Sequence, residues 1–172
     1  MTLAAGVGVV EGLEEYGLRP RLKWPNDVML GDRKVGGILS ESSFTGPSLE
    51  WIVLGIGTNV RGPVSSDLRT TAVSLVEAGA ATAEAPDVAV AVLARVAVWY
   101  HRLVDDGRAP MLNAWRERSL PWWGERIGAL SAEGRIEGRA IGLDDEGGFV
   151  LELDDGSRRT LRSGEVWRAR AV

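Results

Sequence analysis

Between Lys23 and Glu41 the chain reads KWPNDVMLGDRKVGGILSE, in which two lysines, the Asn26 amide, the Asp27 carboxylate and a glycine pair stand close together. Pro25 lacks an N–H and biases Trp24 toward extended geometry. A short strand over Arg21–Trp24 therefore breaks off into a Pro25-Asn26-Asp27 turn. Val28–Leu30 and Val35–Ser40 flank Gly31-Asp32-Arg33-Lys34, the pattern of a hairpin connection. Asn26 and Asp27 project from a strand end, where a carboxylate can hold a divalent cation or accept from a ribose hydroxyl. Lys23 and Lys34 supply point charges suited to phosphate or carboxylate oxygens. Gly36-Gly37 would let a ligand lie directly on the strand backbone. Taken singly, such a turn is most often a solvated one, and Lys34 a surface lysine at a hairpin tip.

Downstream, Ser42–Ser48 with its Gly46-Pro47 reads as a loop, and Trp51–Ile56 as a strongly apolar strand. That strand runs into Gly55-Ile56-Gly57-Thr58-Asn59: glycines for close approach, then an amide able to read a base or ribose. Alone, this run is a bulge or turn as readily as a site. Arg61–Thr71 is polar and reads as a long loop that orders on ligand arrival. Upstream, Leu3–Tyr16 reads as a helix ended by Gly17 as a left-handed cap, with Pro20 just beyond. It is apolar nearly all round, and Gly6, Gly8 and Gly12 each cost about 1 kcal/mol relative to alanine. Something must pack closely on that backbone. A helix so buried at the start of a chain needs a partner from downstream, and hints that sequence is missing upstream.

Asp87–Asp106 reads as a helix entered through Pro86, with Val88, Val92, Val96, Trp99 and Leu103 as its core stripe and Gly107 at its end. Pro110–Arg118 is a second, short helix. From Pro121 the period changes to short strands over Arg126–Leu130, Ile136–Leu143, Phe149–Leu153, Thr160–Arg162 and Val166–Ala169, separated by glycine-bearing turns. They suggest a small barrel-like β module, with a boundary near Leu120-Pro121 dividing residues 1–120 from 121–172.

An apolar share of 45% and a charged share of 26% over 172 residues are those of a globular protein. Net charge −4 offers no electrostatic footprint for general nucleic-acid binding. The absence of cysteine removes disulfides, thiolate zinc sites and thiol nucleophiles. The apolar run at the N-terminus has no basic region before it, and Val88–Val98 is broken by Arg95 and too short to span a bilayer. A cytoplasmic protein with no membrane contact is the expectation. Trp24 and Trp51 read as core or rim packing, and His101 as a solvated side chain in mid-helix.

The run Lys23–Glu41 resembles the central signature of the biotin–protein ligases, and IVLGIGTNV (Ile52–Val60) resembles their second signature, at the expected distance. A preceding Leu/Ala/Gly-rich helix, a following helix pair and a C-terminal SH3-like β module match that family's order. The resemblance implies an α+β fold: a mixed β-sheet flanked by helices, a partial class II synthetase-like ligase core, followed by a small SH3-like β-barrel. It implies ATP-dependent activation of biotin to biotinyl-5′-AMP, then transfer to a lysine of a carboxylase carrier domain. It maps the key lysine near the biotin carboxylate and α-phosphate onto Lys34. Asn26 and Asp27 map to nucleotide and Mg²⁺ contacts, with Asp27 as metal ligand, and Lys23 to a supporting charge. Gly36 and Gly37 map to the wall against biotin, Gly55 and Gly57 to the second glycine-bearing strand, and Asn59 to the adenine-contacting amide. An arginine of the C-terminal module, Arg168 or Arg170, is expected near the nucleotide.

The family also carries a Gly-Arg-Gly-Arg-x-Gly loop and several strands upstream of the first helix, and bifunctional members a winged-helix DNA-binding domain. Neither occurs here. The expectation is therefore an N-terminally truncated ligase, impaired by itself and without a DNA-binding domain. An exposed sheet edge and an exposed glycine face on the first helix should favour self-association, a homodimer among its forms. Two alternatives remain: a non-catalytic binding or assembly module derived from the ligase fold, and a related lipoyl or octanoyl transferase.

Overall fold

A computed structural model describes residues 1–131 and 134–169. The chain is α+β. Helix α1 (Thr2–Glu14) leads into strands β1 (Arg21–Lys23), β2 (Asp27–Leu30), β3 (Arg33–Thr45) and β4 (Ser48–Thr58). Helices α2 (Ala85–Asp105) and α3 (Arg108–Arg118) follow, then β5 (Arg126–Ser131), β6 (Gly134–Leu143), β7 (Phe149–Glu152), β8 (Arg158–Leu161) and β9 (Glu165–Arg168).

The first sheet has the order β1-β2-β3-β4 and the second β8-β7-β6-β5-β9, and every strand pairing in both is antiparallel. The expectation of a mixed sheet is corrected to that extent. Parallel pairing is confined to isolated bridges, Leu22 with Ser119 and Lys34 with Ala72. The five-stranded C-terminal sheet is open, not the closed barrel expected, with β8 and β9 as its two edges.

α1 forms and is buried for one reason: its small residues admit a neighbouring backbone. A Cβ on Gly8 would fall 2.7 Å from the backbone of Val96, and one on Gly12 2.8 Å from that of Val92, both in α2. The glycine face expected to be open is thus covered by α2, whose Val88, Val92, Val96 and Trp99 are buried as the stripe predicts. Glu11 fastens the contact by accepting from Trp99 Nε1 of α2 and Arg118 of α3, at 2.9 Å each. α1 ends at Glu14, earlier than Tyr16, with Glu15 as a right-handed cap; Gly17, at φ +75°, turns the chain left-handed two residues beyond that cap.

The loop expected over Ser42–Ser48 is instead strand. β3 runs on to Thr45, a tight turn at Gly46-Pro47 follows, and β4 starts at Ser48. The polar tail of β3 carries no alternation that would announce a strand; its pairing is made by the backbone, with the Ser43 and Thr45 hydroxyls donating across to the Glu50 carboxylate of β4. This arm leaves Leu39, Phe44, Leu49, Trp51 and Val53 at least half exposed, so Trp51 is neither core nor rim. His101 is exposed, as expected. No helix among the described residues is long and apolar enough to cross a membrane.

Trp24 is 3% exposed and joins the two sheets. Its ring lies 5.7 Å from that of Phe149, and its indole N–H donates to the Gly147 carbonyl at 3.1 Å.

Candidate functional site

Pairing brings the predicted residues into one row. Lys23 of β1 stands opposite Asp27 of β2, Asp27 opposite Gly37 of β3, and Gly37 opposite Gly57 of β4. Directly opposed residues of an antiparallel sheet share a face, so these four positions cross the sheet on one side.

Lys34 joins them through a β-bulge. Val28 pairs with Gly36 but Met29 with Lys34, so Val35 is an extra residue on β3. The bulge resets the alternation and turns the Lys34 side chain onto the face of Gly37. A Cβ on Gly37 would meet Lys34 Cε and Nζ at 3.2 Å. Val35 and Gly36 are both buried, and a Cβ on Gly36 would strike the Gly57 carbonyl at 2.6 Å. Of the glycine pair, Gly37 thus borders the open face while Gly36 lets β3 and β4 close up.

Asp27 is shared. Its carboxylate forms ion pairs with Lys34 and, at 3.7 Å, with Lys23. Lys23 is divided in turn, since Glu165 of β9 reaches its Nζ at 3.5 Å. Two ammonium groups and two carboxylates therefore form one chain from the second sheet to the first. Asn26 is pinned at both ends of its residue: its amide nitrogen donates to the Ile38 carbonyl at 2.9 Å, and its carbonyl accepts from the Ile38 N–H at 2.9 Å.

A shallow hollow of about 450 Å³ lies on the row, lined by Asn26, Lys34, Gly37, Leu39, Gly55 and Gly57. A larger cleft of about 640 Å³ adjoins it and shares Asn26, Ile38 and Leu39; Trp24, Arg108 and Arg162 also line it. Asn59 does not enter the hollow, for its amide donates to the Val73 carbonyl at 3.3 Å, just beyond β4. Arg168 pairs with Glu125 at 2.7 Å, and Arg170 lies outside the described residues. Among the described residues no three His, Asp or Glu side chains gather to hold a metal by themselves.

A profile described as "Biotin/lipoate A/B protein ligase family" matches residues 2–59, and one described as "Biotin protein ligase C terminal domain" matches residues 123–167. The biotin–[acetyl-CoA-carboxylase] ligase of Paracoccus denitrificans is 36% identical over 87% of this chain and 63% of its own length. The chain belongs to the biotin protein ligase family. The bifunctional ligase/repressor BirA of Bacillus subtilis is 31% identical over 92% of this chain and 50% of its own length. Among solved structures, the biotin protein ligase of Aquifex aeolicus superposes with TM-score 0.84 at 27% identity, over 98% of this chain and 74% of that one. The same ligase in complex with biotin and ATP gives TM-score 0.82. This ligase-family chain spans about half the length of the curated relatives it matches.

Sequence reading missed Glu165 and the bulge. Glu165 lies 142 residues beyond Lys23 (165 less 23), and nothing local marks it as a partner. The bulge had one signal, a lysine an odd number of residues before a glycine it must share a face with.

Proposed function

We propose that the row Lys23–Asp27–Gly37–Gly57, with the bulged Lys34 over it, is the acid-activating part of a biotin protein ligase site. ATP and biotin lie side by side in the hollow and the adjoining cleft. A biotin carboxylate oxygen attacks the α-phosphorus, pyrophosphate leaves, and biotinyl-5′-AMP forms. A carrier-domain lysine amine then attacks the carboxyl carbon and AMP leaves. The observation that carries this reading is Lys34 Nζ, held by Asp27 at the floor of the hollow.

Each residue has a role in that reading. Lys34 neutralises charge as it develops on the α-phosphate, where a fixed ammonium acts most strongly. Lys23 keeps Asp27 paired when Lys34 turns to substrate. Gly37, with Gly55 and Gly57, lets biotin approach the strands without side chains between, while Gly36 keeps β3 and β4 close behind that wall. Asn26 contacts the nucleotide, and Asn59 braces the end of β4 through the Val73 carbonyl. A magnesium ion fits only in part: Asp27 is a single carboxylate already facing two ammonium groups. Such an ion would be held by Asp27 together with substrate phosphates and water, and would supply charge neutralisation on the leaving pyrophosphate. Residues 1–120 form the catalytic part and 121–172 the C-terminal module, acting in the cytoplasm on a biotin carboxyl carrier domain.

Biotin-dependent ATP–pyrophosphate exchange tests the proposal. Residues 1–172 alone are expected to show little or no exchange, and a chain extended upstream to the relatives' full length to show it. Full exchange without extension would remove the expectation that residues 1–172 are impaired by themselves; none with extension would remove the ligase reading. A lipoyl or octanoyl activity is separated by mass spectrometry of the acid that reaches a carrier lysine.

A further inference from the structure

β4 ends at Thr58, opposite Gly36 on β3. At Lys34, further back along β3, the place of a neighbouring strand is taken by the chain returning from the polar loop after Val60. The Lys34 N–H donates to the Thr71 carbonyl at 2.7 Å, and its carbonyl accepts from the Val73 N–H at 3.0 Å. These bonds make the parallel bridge between Lys34 and Ala72. Asn59 ties the same segment to the end of β4. Its side-chain amide donates to the Val73 carbonyl at 3.3 Å, and its own carbonyl accepts from the Leu75 N–H at 2.8 Å. The backbone of the site's lysine is thus held by residues remote from it in sequence.

That segment is itself fastened. Val73, Ser74 and Leu75 are at most 1% exposed. Ser74 donates its N–H and its hydroxyl to one Glu77 carboxylate oxygen, at 3.0 Å each, and the Glu77 N–H donates to Ser74 Oγ at 3.3 Å. Such Ser-x-x-Glu reciprocity is a capping box. Here it heads a single helical turn, closed by the Ala78 N–H donating to the Ser74 carbonyl at 3.0 Å. Glu77 is exposed and lines neither the hollow nor the larger cleft.

We infer that Ser74 and Glu77 are positioning residues for Lys34: their box fixes the segment 71–75, the segment fixes the Lys34 backbone, and the ammonium is thereby delivered to the face of Gly37. What Lys34 then does rests on the ligase reading above. The bulge at Val35 makes a hold of this kind necessary, because it interrupts the ladder beside the position from which the lysine projects. A cation that meets charge developing in the transition state must be in place beforehand. Displacing its backbone therefore lowers kcat more than it raises the biotin KM.

Two changes at the surface test this: Glu77→Ala, which deletes the acceptor, and Glu77→Gln, which keeps a carbonyl oxygen there. In residues 1–172, amide hydrogen exchange at Lys34 and Val73 is expected to quicken about tenfold in Glu77→Ala, the size of one lost cap. It should return to the wild-type rate in Glu77→Gln. The Ile38 N–H, bonded to the Asn26 carbonyl, is the control and should not change. Unchanged exchange at Lys34, or equal quickening at Ile38, would overturn the inference. In the chain extended upstream, Glu77→Ala should lower kcat for biotin-dependent ATP–pyrophosphate exchange about tenfold with the biotin KM unchanged, and Glu77→Gln should restore it. Wild-type kcat in Glu77→Ala, or an equal loss in Glu77→Gln, would also overturn it. Absence of exchange from the extended wild type is a different result: it removes the ligase reading, while the amide rates still decide whether the box holds Lys34.

Discussion

Lys34 lies over Gly37 so closely that a Cβ on the glycine would stand 3.2 Å from both Cε and Nζ of the lysine. The first thing a larger side chain would meet is therefore Lys34, ahead of any ligand. Gly37→Val in the full-length enzyme is expected to weaken biotin binding and to push Lys34 off Asp27. Calorimetric titration with biotin checks the first effect. Unchanged affinity would mean that the hollow is not the biotin site.

The neighbouring Gly36 should behave differently. Its Cβ would come within 2.6 Å of the Gly57 carbonyl, a backbone atom that cannot turn away. Gly36→Ala should therefore cost about 1–3 kcal/mol of stability through strand separation. Gly37→Ala faces only the flexible end of Lys34 and should cost much less. Urea midpoints of the two variants make the comparison.

Lys34→Ala should lower adenylate formation in the full-length enzyme by orders of magnitude while leaving the fold intact. The side chain is 47% exposed and its ion pair partly solvated, so its loss is worth about 1 kcal/mol or less. Wild-type exchange kinetics from this variant would remove Lys34 from the chemistry.

Within α1, two glycines separate backbone from side-chain crowding. A Cβ on Gly8 would clash with the Val96 backbone, whereas one on Gly6 would meet only Leu22 Cδ2, at 3.1 Å. Gly8→Ala is expected to destabilise by about 1–3 kcal/mol. Gly6→Ala gains about 1 kcal/mol of helix propensity against a side chain that can shift, and should be close to neutral. Thermal melts of the pair decide; equal losses would contradict the packing described.

Asp144 should contribute to acid sensitivity. Burial opposes its charged form, but amide hydrogen bonds from Gly148 and Glu146 and the Arg162 guanidinium outweigh it, holding the carboxyl below its ordinary range. A depressed folded value stabilises the protein above the unfolded value of about 4, and that contribution is lost as pH falls through the folded one. Asp144→Asn should thus be less stable than wild type at neutral pH and converge with it in acid. A gap that stays constant across that range would show that Asp144 acts by packing alone.

Much of this could be read from the chain because the signals were local. Gly17 turns the chain just past α1, the 88–92–96–99 stripe buries α2, and turn glycines space five C-terminal strands. The row of site residues was legible as a set of residue types but not as a row, since register depends on a bulge at Val35 that sequence hides. The arm beyond Ser40 was misread because exposed backbone pairing leaves no hydrophobic alternation. Glu165 was invisible for the reason most long-range partners are: its pairing with Lys23 is created by the docking of one sheet on another.

β3 has unequal neighbours. β2 accompanies it only as far as Gly37, while β4 continues to Thr45. Beyond the site the arm is a two-stranded ribbon, a structure marginal by itself in water. Amide protons along that ribbon should exchange with solvent through openings far cheaper than global unfolding, while those flanking Val35 wait for the whole sheet. The boundary between fast and slow exchange would then fall at Gly37, placing the Lys23–Asp27–Gly37 row on the last rigid rung of a ladder whose far end frays.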